Sequence, residues 1–81
     1  MEIVRTVLNK YDLQGFIKAG IDLDYTREVN MLTDFINNNK EIINVILLAD
    51  KIQFAFIRYF YICHDMNVCI DMAEEILNNL E

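Results

Sequence analysis

The chain has no proline, and its only two glycines, Gly15 and Gly20, lie five residues apart. Many-stranded folds reverse direction through tight turns that depend on these residues. A sequence so short of turn chemistry folds into helices joined by a few connections. With 81 residues it is smaller than the roughly 100 to 150 residues of a common domain, so residues 1–81 form one domain around one core.

Hydrophobic periodicity sets the helices. Ile3, Val4, Val7, Leu8 and Tyr11 recur on one helical face, predicting a first helix over residues 2–10. Residues 11–24 hold both glycines and three aspartates without a sustained period. They read as a long ordered connection with one short helical turn around residues 13–18. Asp22 or Asp24 caps a second helix whose stripe is Tyr25, Val29, Leu32, Phe35 and Ile36, with Glu28 adding favourable charge in its first turn. Asn37, Asn38 and Asn39 end it, being tolerant of the left-handed conformation that turns a chain.

A third helix is expected over residues 40–62, apolar round most of its circumference. Lys40, Asn44, Lys51 and Arg58 make its one polar stripe, within about 40° of one another, and Gln53 projects on nearly the opposite side. Asp65 or Asn67 caps a fourth, whose buried face is Cys69, Ile70, Met72, Ala73, Ile76, Leu77 and Leu80. The expected architecture is all-α, a compact four-helix bundle-like domain.

Charge and composition exclude several functions. A net charge of −6, with seven scattered Lys and Arg, opposes binding to a phosphate backbone. The apolar stretch over residues 42–63 carries Asp50, Lys51 and Arg58, charges too costly for a membrane span. Two cysteines make no disulfide framework, and Met1 to Arg5 do not resemble a signal peptide, which places the chain in the cytoplasm. Its abundant Ile and Asn fit an AT-rich bacterial genome.

Chemistry-bearing groups are sparse. Cys63, His64, Asp65 and Cys69 are the one grouping of ligand-type residues, but the spacing lacks the second pair of a zinc site. They read as a buried thiol and a surface histidine. The single histidine is adjacent in sequence to Cys63, there is no serine, and no phosphate loop can be built from two isolated glycines. We therefore expect no enzyme, no metal and no cofactor.

Three groups remain as candidate sites. Phe54, Phe56, Tyr59 and Tyr61, with Phe60, form an aromatic band on the third helix that one small core cannot absorb from every side. Part of it is expected to face a protein partner, either a second copy in a homodimer or one heterologous protein. Asp71, Glu74 and Glu75, with Glu81, form an acidic outer face on the fourth helix.

The third group is Tyr11, Asp12 and Gly15 followed by Tyr25 and Glu28. Asp12 can accept from the amides of its own turn, Gly15 can take a positive φ, and Tyr11 can close one end of the core. An aromatic-Asp-x-x-Gly step after a first helix, followed by Tyr25-x-x-Glu28-Val29, resembles the YugE-like family of small bacterial proteins. So does the C-terminal pattern of Ala73, Ile76 and Leu77. That family favours Trp at the position of Tyr11 and Pro at that of Leu13. The resemblance spans nearly the whole chain and implies a helical domain without an assigned reaction, cofactor or partner.

The leading expectation is a non-enzymatic protein-interaction module that binds itself or one partner through its apolar, aromatic face. The alternative is a small acidic immunity or antitoxin protein that neutralises a basic toxin.

Overall fold

A computed structural model describes residues 1–80, so Glu81 lies outside the described residues. Among the described residues the fold is all-α, with five helices: α1 (Glu2–Tyr11), α2 (Phe16–Ala19), α3 (Thr26–Asn38), α4 (Val45–Phe60) and α5 (Met66–Asn78). The short α2 is the helical turn expected inside the first connection. Each long helix packs along two others, α1 on α3 and α5, and α4 on α3 and α5. The radius of gyration is 11.8 Å, close to the roughly 12 Å of a compact chain this long.

The core follows the periodicity. Val4, Val7 and Leu8 of α1 meet Val29, Leu32 and Ile36 of α3, Leu48, Ile52 and Phe56 of α4, and Cys69, Met72 and Ile76 of α5. At one end the aromatic rings interlock. Tyr25 stacks on Phe16 at 5.3 Å, Phe16 meets Phe60 edge-on at 5.5 Å, and Phe56 lies between Tyr25 and Phe60. Aromatic pairs at such separations contribute about 0.5 to 1.5 kcal/mol beyond area burial.

Several helix boundaries differ from the sequence reading. The third predicted helix begins at Val45, where the Asn44 side chain accepts from the Leu47 amide at 2.9 Å. Asparagine caps well because its short side chain reaches an otherwise unpaired donor. Residues 39–44 instead form a turn, closed by the Asn39 carbonyl accepting from the Ile42 and Ile43 amides. Lys40 therefore leaves the polar stripe, and Asn44 becomes a cap.

None of the three consecutive asparagines is left-handed. Among the described residues the non-glycine residues with positive φ are Asp12 (48°) and Tyr61 (59°). Asn39 ends α3 through its side chain, which donates to the Phe35 carbonyl at 2.7 Å. Tyr61 ends α4, two residues before the expected limit. At the start of α3 the cap position is Tyr25, and Asp24 serves it from one residue back by accepting from the Thr26 amide. Asp65 caps α5 through the Asn67 amide at 2.7 Å, one of the two expected alternatives.

Phe56 is completely buried and Phe54 is exposed on the other side of the same helix. Replacing Phe56 with alanine is expected to cost about 3 to 5 kcal/mol, and replacing Phe54 less than about 1 kcal/mol. Urea denaturation of both variants checks this difference, and equal losses would contradict the packing described.

Candidate functional site

Tyr11, Asp12, Gly15 and Tyr25 come together where α1, α2 and α3 meet. Asp12 terminates α1 in the left-handed conformation, its amide bonded to the Leu8 carbonyl. That backbone geometry turns its carboxylate toward α2, where it accepts from the amides of Ile17 (3.2 Å) and Lys18 (2.9 Å). The Tyr25 hydroxyl donates to Asp12 Oδ1 at 2.6 Å and accepts from the Gln14 amide at 3.0 Å. Gly15, at φ 73°, makes the reversal between these partners.

The electrostatics follow from this arrangement. The Tyr25 hydroxyl and the α2 amides hold the Asp12 carboxyl below its ordinary pKa, while burial and the Asp12 bond push Tyr25 up to about 12. A network continues from here to the turn between α4 and α5. His64 Nε2 lies 2.7 Å from Gln14 Oε1, and since an amide oxygen only accepts, that ring nitrogen carries the proton. Gln53 donates to the His64 carbonyl at 2.8 Å, which satisfies the polar group that projected from the apolar side of α4.

His64 is thus no surface histidine. It is half-buried, edge-on to the Phe56 ring at 5.1 Å, and burial lowers its pKa. Gln14, Phe16 and the Gln53–His64 contact were not singled out in the sequence. They are isolated polar or aromatic residues without a periodic partner, and only the fold brings them together. Among the described residues no group of three or more His, Cys, Asp and Glu could hold a metal ion. Cys69 is a buried thiol pushed up to about 11 by desolvation, and Cys63 is exposed.

Glu28 occupies a different environment from the rest of its motif. It is completely buried, and neither carboxylate oxygen has a hydrogen-bond partner among the described residues. Instead of lending charge to an exposed first turn, it faces the core, and desolvation raises its pKa.

The acidic face is divided. Asp71 and Glu74 are exposed, but Glu75 receives Lys10 Nζ at 2.9 and 3.0 Å and the Tyr11 hydroxyl at 3.4 Å. This contact ties α5 to the end of α1, and so one of the three acids serves a helix-to-helix clamp.

The aromatic band also divides. Phe56 belongs to the core, so its expected place at a partner interface is corrected: a ring enclosed by Tyr25, Phe60 and His64 has no surface to offer. Tyr59 is half-buried on the α3 side, with the Arg27 guanidinium 4.7 Å above its ring. It lines a groove of about 560 Å³ with Arg27, Met31, Asp34, Phe35 and Lys51. Phe54 and Tyr61 remain outward, 47% and 89% exposed, beside Ile46 at 63%, Leu47 at 40% and Ile57 at 39%.

Two substitutions examine the polar framework. Tyr25→Phe removes the hydroxyl that joins Asp12 to Gln14 and is expected to cost about 1 to 3 kcal/mol in urea denaturation. Glu28→Met is expected to stabilise the protein at neutral pH by about 1 to 3 kcal/mol, because a buried unpartnered carboxylate is replaced by an apolar chain of similar length. Since the folded-state pKa of Glu28 is raised, its penalty is absent below the ordinary value of 4.5 and grows as pH rises through the folded pKa. The gain from Glu28→Met should therefore fall away as pH drops toward 4.5, and a gain independent of pH would contradict the assignment.

Comparison of the chain with protein-family models, with curated proteins and with solved structures finds no match in any of the three.

Proposed function

We propose that the chain is a non-enzymatic protein-interaction module whose binding surface is the outer face of α4. The observation that carries this reading is the row Leu47, Asp50, Phe54, Ile57 and Tyr61. From Leu47 to Ile57 its spacing alternates three and four residues, the pattern of a helix that packs against another helix, and Tyr61 follows as the left-handed residue that ends α4. All five side chains are exposed, and Ile46 widens the apolar strip. Exposed apolar residues are ordinary when scattered, whereas apolar residues gathered along one helix, here interrupted by Asp50, mark a surface that another molecule covers.

The inward face of α4 is already occupied by α3 and α5, so the strip is surplus to the core. Phe54 and Tyr61 offer large rings of the kind enriched in interface centres. Membership of the YugE-like family belongs to this proposal and adds no reaction to it. The alternative of an acidic neutralising protein rests on Asp71 and Glu74, with Glu75 engaged by Lys10.

A photo-activatable cross-linking residue placed singly at position 54 or at position 74, in the organism that makes the protein, compares the two readings. Capture of one defined protein from position 54, absent from position 74, is expected. Capture from position 74 alone would overturn the α4 reading in favour of the acidic face.

A further inference from the structure

We propose that the molecule covering the outer face of α4 is an acidic protein segment, whose carboxylates reach Lys51, Arg58 and, across the α3–α4 groove, Arg27. This inference rests on the α4 reading above. At about 100° per residue, Arg58 and Lys51 lie roughly 40° and 60° round the helix from Phe54, both on the side that turns toward α3. Lys51 joins the two surfaces: its ammonium is 4.8 Å from the ring centre of exposed Phe54 and 5.5 Å from that of Phe35, which lines the groove. Arg27 of α3 and Arg58 of α4 share one ring. Their guanidinium carbons stand 4.7 and 5.5 Å from the centre of Tyr59, so two like charges are close neighbours across the groove.

Three of the seven Lys and Arg residues thus gather on one face of a chain that carries thirteen acids. None of the three is in an ion pair among the described residues, where the one salt bridge joins Lys10 to Glu75. Asp34 also lines the groove, but among the described residues no cation is within ion-pairing distance of it. A ring against a guanidinium restrains it while leaving its edge N–H groups free to donate, and a carboxylate accepts two of them at once. An acid placed near Tyr59 would meet Arg27 and Arg58 together and relieve their repulsion. The net charge of −6 decides what form the anion takes. A nucleic acid or an anionic bilayer spreads its charge over a wide area and would meet the surplus acids as well. A peptide segment with a few carboxylates acts locally, within a Debye length of about 8 Å at 0.15 M salt. Its apolar residues would then cover Phe54 and Ile57.

Fluorescence anisotropy tests this with fluorescein-labelled helical peptides that share one leucine heptad pattern and carry glutamate, glutamine or lysine at the flanking positions. The whole chain is titrated to about 1 mM, the weak end of the affinity range, as wild type and as Arg27→Glu, Lys51→Glu, Arg58→Glu, Phe54→Glu and Lys18→Glu. Circular dichroism confirms that each is folded. Lys18 lies on α2, outside the groove, and its reversal changes the net charge by the same amount. The glutamate peptide is expected to bind wild type about tenfold or more tightly than the other two. Reversal at Arg27, Lys51 or Arg58 should weaken it about fivefold or more, Phe54→Glu should weaken it as well, and Lys18→Glu should change it less than about twofold. Equal weakening by Lys18→Glu would reduce the effect to net charge and overturn the proposal. A glutamine peptide that binds as tightly, and is lost with Phe54→Glu alone, would overturn the acidic segment and leave the α4 surface standing. Loss on the three reversals without loss on Phe54→Glu would overturn the claim that one segment spans both surfaces. Binding of none of the peptides would overturn the acidic segment, and the cross-link from position 54 would then decide the α4 surface separately.

Discussion

The hydrogen bond from the Tyr25 hydroxyl to the Asp12 carboxylate is the contact on which the rest of the structure depends. Residues 12–25 have too little regular structure to hold themselves, and ordering each residue costs about 1 to 2 kcal/mol of backbone entropy. Asp12 offsets part of that cost by ending α1, supplying two acceptors to α2 and receiving Tyr25. Because Tyr25 sits at the start of α3, one carboxylate aligns three helices. The Tyr25 ring then stacks on Phe16 and packs against Phe56, so the polar joint and the aromatic core share a residue. Gln14, His64 and Gln53 carry the joint across to the turn between α4 and α5.

Once the connection and α3 fill that end of the core, α4 has more apolar surface than it has neighbours. Its flank toward α3 and α5 takes Leu48, Ala49, Ile52, Ala55 and Phe56, all fully buried. Ala55, between Lys51 and Tyr59 on the α3 side, is small, and the shallow groove under Arg27 lies along this row. The remaining face of α4 keeps Ile46, Phe54 and Ile57 in water. A sequence under selection for solubility alone would place charged residues there, as it does on α5 with Asp71 and Glu74. The interaction proposed for this chain is an account of that difference.

Glu28 is the place where local rules and the fold disagree. An acid near a helix N-terminus is favourable when hydrated, but α3 presents this one to the interior, one turn after Tyr25 and one before Leu32. Exposing Glu28 by rotating α3 would withdraw Tyr25, Leu32 and Ile36 from the core. The burial of these three large side chains outweighs the desolvation of one carboxylate that can take up a proton.

Much of the architecture is legible in the residues themselves. The 3.6-residue periodicity of Val4, Val7 and Leu8, or of Cys69, Met72, Ala73 and Ile76, names both the element and its buried face, because burial is decided by side chains a turn apart. The capping chemistry of Asp65 and the positive φ of Gly15 are local too. Asp12, Tyr25 and Gly15 could be suspected as a structural joint, though the donor and acceptor pairing could not. What tertiary structure alone decided is every question of which side of a helix meets what. Periodicity cannot distinguish Phe54 from Phe56 on a helix apolar almost all round, nor foresee that Glu28 faces inward or that His64 finds Gln14 fifty residues away. Those outcomes depend on the number and direction of a helix's neighbours, a property of the assembled fold that no window of adjacent residues contains.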